Sequence, residues 1–127
     1  MSEERVVTLI SPKKLADYVT SNEKVLVIDV RDSDYNDGGH IKGSRNIPSF
    51  LFNASTVKDI LDLSLEDKYE TILFYCAYGQ QRSVKCANTM NSYINRLDNK
   101  PLIQISFLEG GFMSFQRTKG CEALIEK

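Results

Sequence analysis

Residues 71–83 read TILFYCAYGQQRS, and this stretch decides the predicted fold. Thr71–Tyr75 is a short apolar run of the kind that forms a buried strand, and Cys76 follows it directly. Five residues separate Cys76 from Arg82, with a glycine in the middle of the segment. From Ser83 onward, the apolar residues recur at helical spacing. The stretch therefore predicts a strand, a loop and a helix, with a cysteine and an arginine at the two ends of the loop.

Strand-like and helix-like segments alternate on both sides of this stretch. Ser11 is a good N-cap for a first helix, and Pro12 suits the first helical position. The predicted elements, in chain order, are an edge strand at 6–10, a helix at 12–21, a buried strand at 24–30, a short strand around 46–47, a helix at 56–65, a strand at 71–75, a helix at 83–97, a strand at 102–108, a short helix from Phe112 and another short helix after Lys119. The apolar stripe of the helix at 56–65 is predicted to be Val57, Ile60, Leu61 and Leu65, and that of the helix at 83–97 Cys86, Met90, Tyr93, Ile94 and Leu97. This alternation predicts an α/β domain with a mostly parallel central sheet flanked by helices.

Composition and charge exclude several classes of protein. A chain of 127 residues suits one domain, and 42% hydrophobic with 26% charged residues is an ordinary globular mixture. The formal net charge of −1 argues against a nucleic-acid-binding surface. No apolar run approaches the ~20 residues that span a membrane, and the polar start, Met1–Arg5, has no signal-peptide core behind it. We therefore expect a protein of the cytoplasm or the nucleus, without a membrane or nucleic-acid partner.

The three cysteines, Cys76, Cys86 and Cys121, do not form a secreted disulfide framework. Their number is odd and their spacing irregular, which is typical of reduced thiols in a cytosolic compartment. The chain has one histidine and no Cys-x-x-Cys pair, so no metal site is expected.

The loop between Cys76 and Arg82 has the residue types of an oxyanion site. Ligands of parallel sheets bind at the carboxyl ends of the strands, where a helix N-terminus and loop N–H groups can surround an anion. A free cysteine has a pKa of ~8.5, and such a helix end together with an arginine can lower it. Arginine binds two oxygens of a phosphate-like group at once, and Ser83 can hydrogen-bond the thiolate and help it leave in a second step. We predict Cys76 and Arg82 as catalytic residues, and as substrate-binding residues Ala77, Tyr78, Gly79, Gln80, Gln81, Arg82 and Ser83.

The loop resembles the Cys-x5-Arg-Ser signature of the protein tyrosine phosphatases, whereas the rest of the chain resembles the rhodanese fold. The residues that carry the second resemblance are Val27-Ile28-Asp29-Val30-Arg31, Tyr35, Gly38-Gly39-His40-Ile41, Gly43-Ser44, Asn46-Ile47-Pro48 and Leu108-Glu109-Gly110-Gly111-Phe112. Together they cover nearly the whole chain. The resemblance implies a single rhodanese-like catalytic domain over residues 1–127.

The length of the loop is informative within that family. Sulfurtransferases have one residue fewer, whereas the loop here resembles that of the cell-cycle dual-specificity phosphatases and of the related eukaryotic arsenate reductases. The small size and the run Gln80-Gln81-Arg82 look most like the small fungal phosphatase and arsenate-reductase branch. The resemblance implies a covalent cysteinyl intermediate and a phosphoprotein or small oxyanion as substrate. It implies no bound cofactor, but glutathione with glutaredoxin as reductant if the protein is an arsenate reductase.

Two residues depart from the family pattern. Tyr75 stands where the family usually has a histidine before the nucleophile, which leaves the pKa of Cys76 open. Gln81 replaces the glutamate of the cell-cycle phosphatases, so no general acid is visible in the loop, which favours the arsenate reductases. A persulfide-carrying sulfurtransferase and a non-catalytic phosphopeptide-binding module remain as alternatives. Loop length argues against the first, and the intact Cys76, Arg82 and Ser83 argue against the second.

Other polar residues have a functional and a structural interpretation. Asp29, near Arg31 at the end of the first buried strand, can orient Arg82 or form an internal salt bridge, and we favour the salt bridge. His40 resembles a family position that ties down the preceding loop, and we favour that role over a base.

Three carboxylates and two thiols complete the set of candidates. Asp32, Asp34 and Glu109 are candidate general acids, although each is interpreted in the first place as a solvated surface charge. Cys86 is expected to pack in the core, with a role as resolving thiol for Cys76 as the alternative, and Cys121 is a weaker candidate for that role.

Overall fold

The computed structural model describes residues 6–35 and 37–127, so the predicted polar N-terminus lies outside the described residues. Strands and helices alternate in it as predicted. In chain order they are β1 (Thr8–Ile10), α1 (Pro12–Thr20), β2 (Val25–Asp29), β3 (His40–Ile41), β4 (Arg45–Asn46), α2 (Ala54–Glu66), β5 (Thr71–Tyr75), α3 (Arg82–Asn95), β6 (Gln104–Leu108), α4 (Gly111–Arg117) and β7 (Ile125–Glu126). Short 3-10 helices span Ser49–Leu51 and Glu122–Leu124.

Five strands form one parallel sheet in the order β1-β6-β5-β2-β4. β5 lies in the centre and pairs with β2 from Thr71 opposite Val25 to Tyr75 opposite Asp29. Cys76 therefore lies directly after the carboxyl end of the central strand, where ligands of parallel sheets bind. The predicted α/β fold with a mostly parallel sheet is confirmed.

The two faces of the sheet pack against different helices, because successive residues of a strand point to opposite sides. Leu26 and Ile28 of β2 belong to one buried apolar cluster with residues of α2 and α3. Val27, between them, belongs to a second cluster with residues of α1 and α4. The sheet is thus covered on both faces, which explains why its central strands read as continuous apolar runs.

Capping residues fix the starts of two helices. The Ser11 side chain accepts a hydrogen bond from the backbone N–H of Lys14, and Pro12 follows at the start of α1, as predicted. Asn53 caps α2 by accepting from the backbone N–H of Thr56 at 2.9 Å, so this helix begins earlier than predicted.

The predicted apolar stripe of α2 is wrong at one position. Leu65 is 50% exposed, whereas Ser64 is buried beside Val57, Ile60 and Leu61. The Ser64 hydroxyl donates to the carbonyl of Ile60 at 2.7 Å, which satisfies its hydrogen-bonding capacity inside the core.

The start of β6 and the C-terminal tail also differ from the prediction. Leu102 is 92% exposed and lies outside β6, since the ladder with β5 begins at the pair of Thr71 and Gln104. The tail forms a 3-10 helix and then β7, which pairs with β3 in an antiparallel ladder of two residue pairs. Strands this short have too little pattern to be predicted from the sequence. Within residues 6–35 and 37–127, no helix is both long and apolar enough to cross a bilayer.

Candidate active site

Cys76 lies between the end of β5 and the loop that leads to α3, as the sequence predicted. Its side chain is 3% exposed and lies beside the hydroxyl of Ser83, with the sulfur and the oxygen 3.2 Å apart. α3 begins at Arg82, and its N-cap residue, Gln81, makes no side-chain capping bond. The N–H groups in the first turn of a helix have no partner within that helix, so this end is suited to receive an anion.

The first turn of α4 binds the back of the loop. The backbone N–H of Phe112 donates to the carbonyl of Cys76, and that of Met113 to the carbonyl of Ala77, both at 2.9 Å. These bonds satisfy donors at the N-terminus of α4 and fix the orientation of the first two peptide groups of the loop. This contact explains the glycine turn before Phe112, which brings α4 against the loop.

Two glycines allow this close approach. Gly79 has φ of +71°, and a Cβ there would lie 2.7 Å from the nitrogen of Gly111 and 2.8 Å from the carbonyl oxygen of Leu108. Gly111 has φ of +64°, and a Cβ there would lie 2.6 Å from the carbonyl oxygen of Cys76. Both positions therefore exclude side chains on two grounds, backbone conformation and space.

The loop surrounds a cleft of about 250 Å³, which we call the cup. The cup is lined by Cys76, Tyr78, Gln80, Gln81 and Arg82. The other predicted substrate-binding residues contribute differently: Ala77 binds α4 through its carbonyl, Gly79 contacts the glycine turn, and Ser83 is buried against the Cys76 sulfur. The predicted residues thus lie together, while their contacts with a substrate stay predictions.

The surroundings of Cys76 favour its thiolate. Burial by itself would raise the pKa of the Cys76 thiol. Hydrogen bonds from the Ser83 side chain and from the backbone N–H groups of Ser83 and Gly79, with the charge of Arg82, outweigh burial and hold that pKa below its ordinary value. Cys76 is thus prepared as a nucleophile, although the residue before it is not a histidine.

Tyr75, which stands in place of that histidine, points away from the cup into the core. Its side chain is fully buried, and its hydroxyl accepts from the backbone N–H of Ile41 at 3.1 Å and lies 3.0 Å from the Ser44 oxygen. Burial raises the pKa of Tyr75, so it is a neutral phenol. Its role is to join β5 to the segment around β3.

Arg82 is held by two carboxylates, and here the sequence interpretation was wrong. Its Nη1 and Nη2 donate to the two oxygens of Asp34 at 2.8 Å and 2.9 Å, and Nη1 also lies 3.4 Å from Asp32. Asp32 and Asp34 are therefore not merely solvated surface charges. The hydrogen bonds that Arg82 donates to Asp34 hold the pKa of Asp34 below its ordinary value, and the same bonds raise the pKa of Arg82. Glu109, the third candidate acid, is exposed.

Asp29 forms the internal salt bridge that we favoured, and it does not bind Arg82. The Arg31 guanidinium donates to both oxygens of Asp29, to Oδ1 from Nε at 3.0 Å and to Oδ2 from Nη2 at 2.8 Å, and each side chain is at most 2% exposed. Arg31 also donates to the carbonyls of Asp37 and Gly39 and lies over the ring of Phe112, 4.4 Å from its centroid. This residue thereby anchors the loop that carries Asp32 and Asp34.

His40 contacts the C-terminal tail. Its Nε2 lies 3.5 Å from an oxygen of Glu126, across the ladder of β3 and β7, so the contact that the structure shows is with the tail rather than with the preceding loop. His40 does not line the cup.

The remaining cysteines are free thiols in the core. Cys86 packs with Cys76 in the cluster below α2 and α3, as expected, and burial raises the pKa of Cys86 to about 12. Cys121 is buried on the other face of the sheet, and burial raises its pKa as well. Neither is prepared as a nucleophile.

The family model of the rhodanese-like domain matches residues 11–118. The chain belongs to the rhodanese-like family.

Within that family, the relatives include arsenate reductases and Cdc25-type phosphatases. Arsenate reductase 2.1 of rice (Oryza sativa subsp. japonica) is 32% identical over 113 residues, which cover 88% of this chain and 69% of the rice protein. The dual specificity phosphatase Cdc25 of Arabidopsis thaliana is 30% identical over 108 residues, which cover 78% of this chain and 72% of the plant protein. The solved structure of Ygr203w, a yeast protein tyrosine phosphatase of the rhodanese family, shares the fold, with a TM-score of 0.79 and 23% identity over 98% of this chain and 93% of that chain.

A second cleft of this rhodanese-like domain adjoins the cup. It has a volume of about 450 Å³ and shares Gln81 and Arg82 with the cup. Its remaining lining comes from the 3-10 helix at Ser49–Leu51, from the residue that follows this helix, and from α3. These residues are Ser49, Phe50, Phe52, Lys85, Cys86 and Thr89. Sequence reasoning missed this cleft, because the segment between β4 and α2 has no periodic pattern. The signal that the sequence offered was the pair of phenylalanines at positions 50 and 52.

Proposed function

We propose that this rhodanese-like domain is a cysteine-dependent enzyme that acts on a tetrahedral oxyanion, as a phosphatase or an arsenate reductase. The observation that supports the proposal is the pairing of Cys76 and Arg82 at the two ends of one loop around the cup. A thiolate with a lowered pKa faces the same cleft as a guanidinium, and a helix N-terminus without a side-chain cap adjoins both. This arrangement suits attack on an anionic centre.

In the first step, the Cys76 thiolate attacks the phosphorus or arsenic atom. A sulfur–phosphorus or sulfur–arsenic bond forms, and the opposite bond, to the leaving oxygen, breaks. Arg82 and the N–H groups of the loop hold the other oxygens and stabilise the charge that develops on them. The covalent adduct on Cys76 is common to both reactions.

The second step differs between the two reactions. With a phosphate ester, water attacks the phosphorus, inorganic phosphate leaves, and the Cys76 thiolate is restored with help from the Ser83 hydroxyl. With arsenate, the oxygen lost in the first step has left as water, and a first external thiol attacks the Cys76 sulfur. The sulfur–arsenic bond then breaks with its electron pair on arsenic, which is released as arsenite. A second external thiol attacks the resulting mixed disulfide, so that an external disulfide forms and the Cys76 thiolate is restored. Glutathione with glutaredoxin is the reductant that we propose for the second case, without a bound cofactor.

Among the residues that the structure describes, no acidic side chain lines the cup, which favours arsenate reduction. Gln81 cannot donate as an acid, and the carboxylates nearest to Arg82, Asp32 and Asp34, are engaged by its guanidinium. A phosphate monoester with a poor leaving group needs a proton from a general acid. We therefore propose arsenate reduction as the stronger activity, with phosphatase activity strongest on esters whose leaving group needs little protonation.

The partners that we propose are a small oxyanion or an exposed phosphate on a protein, without nucleic acid or membrane. We propose the cytoplasm or nucleus as the location, because the three free thiols suit a reducing compartment.

One side-by-side assay tests the proposal. The purified protein is assayed for hydrolysis of 4-nitrophenyl phosphate and for arsenate-dependent consumption of reducing equivalents with glutathione and glutaredoxin, with Cys76→Ser as the blank. We expect both signals to be lost in the variant, with arsenate reduction the larger in the native protein. Equal background in native protein and variant would contradict the proposal and favour the sulfurtransferase or the phosphopeptide-binding module. Thiosulfate-dependent transfer of sulfur to cyanide would identify the first of these.

A further inference from the structure

The contact between Arg82 and the loop after β2 uses specific N–H groups of the guanidinium. Asp34 accepts one bond from Nη1 and one from Nη2, in the end-on geometry of a bidentate pair. Asp32 lies 3.4 Å from Nη1 and accepts its second bond. Both hydrogens of Nη1 and one hydrogen of Nη2 are therefore in use.

The hydrogens that remain form a second fork. A guanidinium has five N–H donors in a rigid plane, and Nε–H points parallel to the outer hydrogen of Nη2. Among the residues that the structure describes, Asp32 and Asp34 are the hydrogen-bond partners of Arg82, so this side-on edge is available for an oxyanion. Two oxygens of a tetrahedral anion match such an edge.

The two carboxylates are themselves fixed to the scaffold. Asp32 accepts from the Ser49 hydroxyl at 2.9 Å and 3.0 Å and from the backbone N–H of Phe50. Asp34 accepts from the backbone N–H of Asp32 at 3.0 Å. The loop that carries them is anchored by the buried Arg31. Their placement thus depends on hydrogen bonds to residues outside the catalytic loop.

We propose that Asp34, supported by Asp32, is a positioning residue that holds Arg82 with its Nε–Nη2 edge free for the oxyanion. This role rests on the proposed function of Arg82 as an oxyanion ligand. It differs from two other roles that Asp34 can take, a general acid and a competitor that the substrate must displace. As an acid, Asp34 would need a proton, whereas both of its oxygens accept from Arg82. As a competitor, it would have to occupy the edge that the substrate uses, whereas it occupies the other one.

A free arginine side chain samples many rotamers, and fixing it in one of them costs conformational free energy. Arg82 is only partly buried, since its side chain is 31% exposed. A carboxylate pair that fixes it before the substrate arrives removes most of that cost from the binding step.

Alkylation of Cys76 provides a test that does not need turnover. Iodoacetate carries a carboxylate that can bind Arg82, whereas iodoacetamide has nearly the same size and is neutral. The ratio of the rate with iodoacetate to the rate with iodoacetamide therefore reports on the placement of Arg82. Removal of one negative charge by Asp34→Asn would by electrostatics alone speed the reaction of iodoacetate. We expect the opposite, a fall of the ratio by about tenfold or more, since misplacement of a catalytic group by about 1 Å costs up to ~100-fold.

The matched variants separate placement from charge and from folding. Asp34→Glu keeps the charge, and we expect it to restore part of the lost ratio, whereas Asp62→Asn removes an exposed carboxylate on α2 and should leave the ratio unchanged. Thermal unfolding of each variant identifies any that is unfolded, and the ratio is then taken from Asp32→Asn, for which we expect a smaller fall. A ratio that stays the same or rises in Asp34→Asn would overturn the proposal. A rise would identify Asp34 as a group that competes with the anion for Arg82.

Turnover of 4-nitrophenyl phosphate gives an independent second readout. This ester needs little help from an acid, so a fall of kcat by about tenfold or more in Asp34→Asn supports positioning. A loss that occurs only with alkyl phosphates would identify Asp34 as an acid and overturn the proposal. If the native protein turns over neither phosphate esters nor arsenate, the proposed function fails, while the alkylation ratio still decides the role of Asp34.

Discussion

The Ser83 hydroxyl lies 3.2 Å from the Cys76 sulfur, and both side chains are buried. A buried thiolate is costly unless hydrogen-bond donors surround it. Ser83 contributes two of them, its hydroxyl and its backbone N–H, while Gly79 contributes a third. The consequence is a nucleophile that is largely excluded from solvent and yet ionises more readily than an ordinary cysteine.

Replacing Ser83 by alanine should raise the pKa of Cys76. The hydroxyl bond lowers that pKa, so its loss moves the rise in reactivity to higher pH. The measurement is the rate of iodoacetamide alkylation of Cys76 as a function of pH, with the labelled site identified by mass spectrometry. Ser64→Ala, which removes another buried serine hydroxyl far from the loop, is the control. A profile that is the same in Ser83→Ala and the native protein would refute the role of this bond.

The same bond predicts a pH dependence of stability. The folded-state pKa of Cys76 lies below that of the unfolded thiol. Its ionisation therefore stabilises the fold fully above the unfolded pKa of ~8.5, and this contribution is lost as the pH falls through the folded pKa. Urea unfolding is measured at a pH below the folded pKa of Cys76 and at a pH above the unfolded one. Between these two values, the free energy of unfolding should rise more in the native protein than in Ser83→Ala.

Gly79→Ala should damage both stability and activity, whereas Gly43→Ala should cost stability alone. Both glycines have positive φ, but a Cβ at Gly43 meets nothing within 4 Å, while one at Gly79 meets the backbone of the glycine turn. Left-handed backbone costs about 1–2 kcal/mol for alanine, and overpacking adds about 1–3 kcal/mol at Gly79. Thermal unfolding and the arsenate assay measure the two effects. Full activity in Gly79→Ala would mean that the loop does not need this contact.

Tyr75→Phe should destabilise the fold and spare the reaction. The substitution leaves the buried N–H of Ile41 without its acceptor, which costs about 1–3 kcal/mol. Ser44→Ala leaves that bond in place and should cost less. Urea unfolding compares the two variants, and the alkylation rate of Cys76 checks the site. If Tyr75→Phe shifts the alkylation profile, the tyrosine tunes the thiolate in place of the histidine, contrary to our account.

The sequence could predict the part of the site that is contiguous in the chain. Cys76, Arg82 and Ser83 belong to one strand, loop and helix, so their spacing alone places them around a common point. The Asp34 contact with Arg82 joins residues 48 positions apart and depends on one arginine rotamer. No pattern of spacing or polarity encodes such a choice, which is why Asp34 reads as a surface charge in the sequence.

The fold, like the site, could be predicted from the sequence only where the pattern of residues is local. The central strands β2 and β5 are buried on both faces, so their apolar runs were predicted almost to the residue. β3 and β7 have two residues each and gain their pairing from tertiary contacts between distant segments. Ser64 gives a third example, because a satisfied hydroxyl can replace an apolar group inside a helix stripe.

The most direct test of the central claim is the mass of Cys76 during turnover. Ser83→Ala should slow the second step, so that the adduct accumulates when the variant is mixed with 4-nitrophenyl phosphate and quenched. We predict a phosphoryl group on the peptide that contains Cys76, and none on the peptides of Cys86 or Cys121. An unmodified Cys76 while nitrophenol is released, or a persulfide formed from thiosulfate in place of the phosphoryl adduct, would contradict the account.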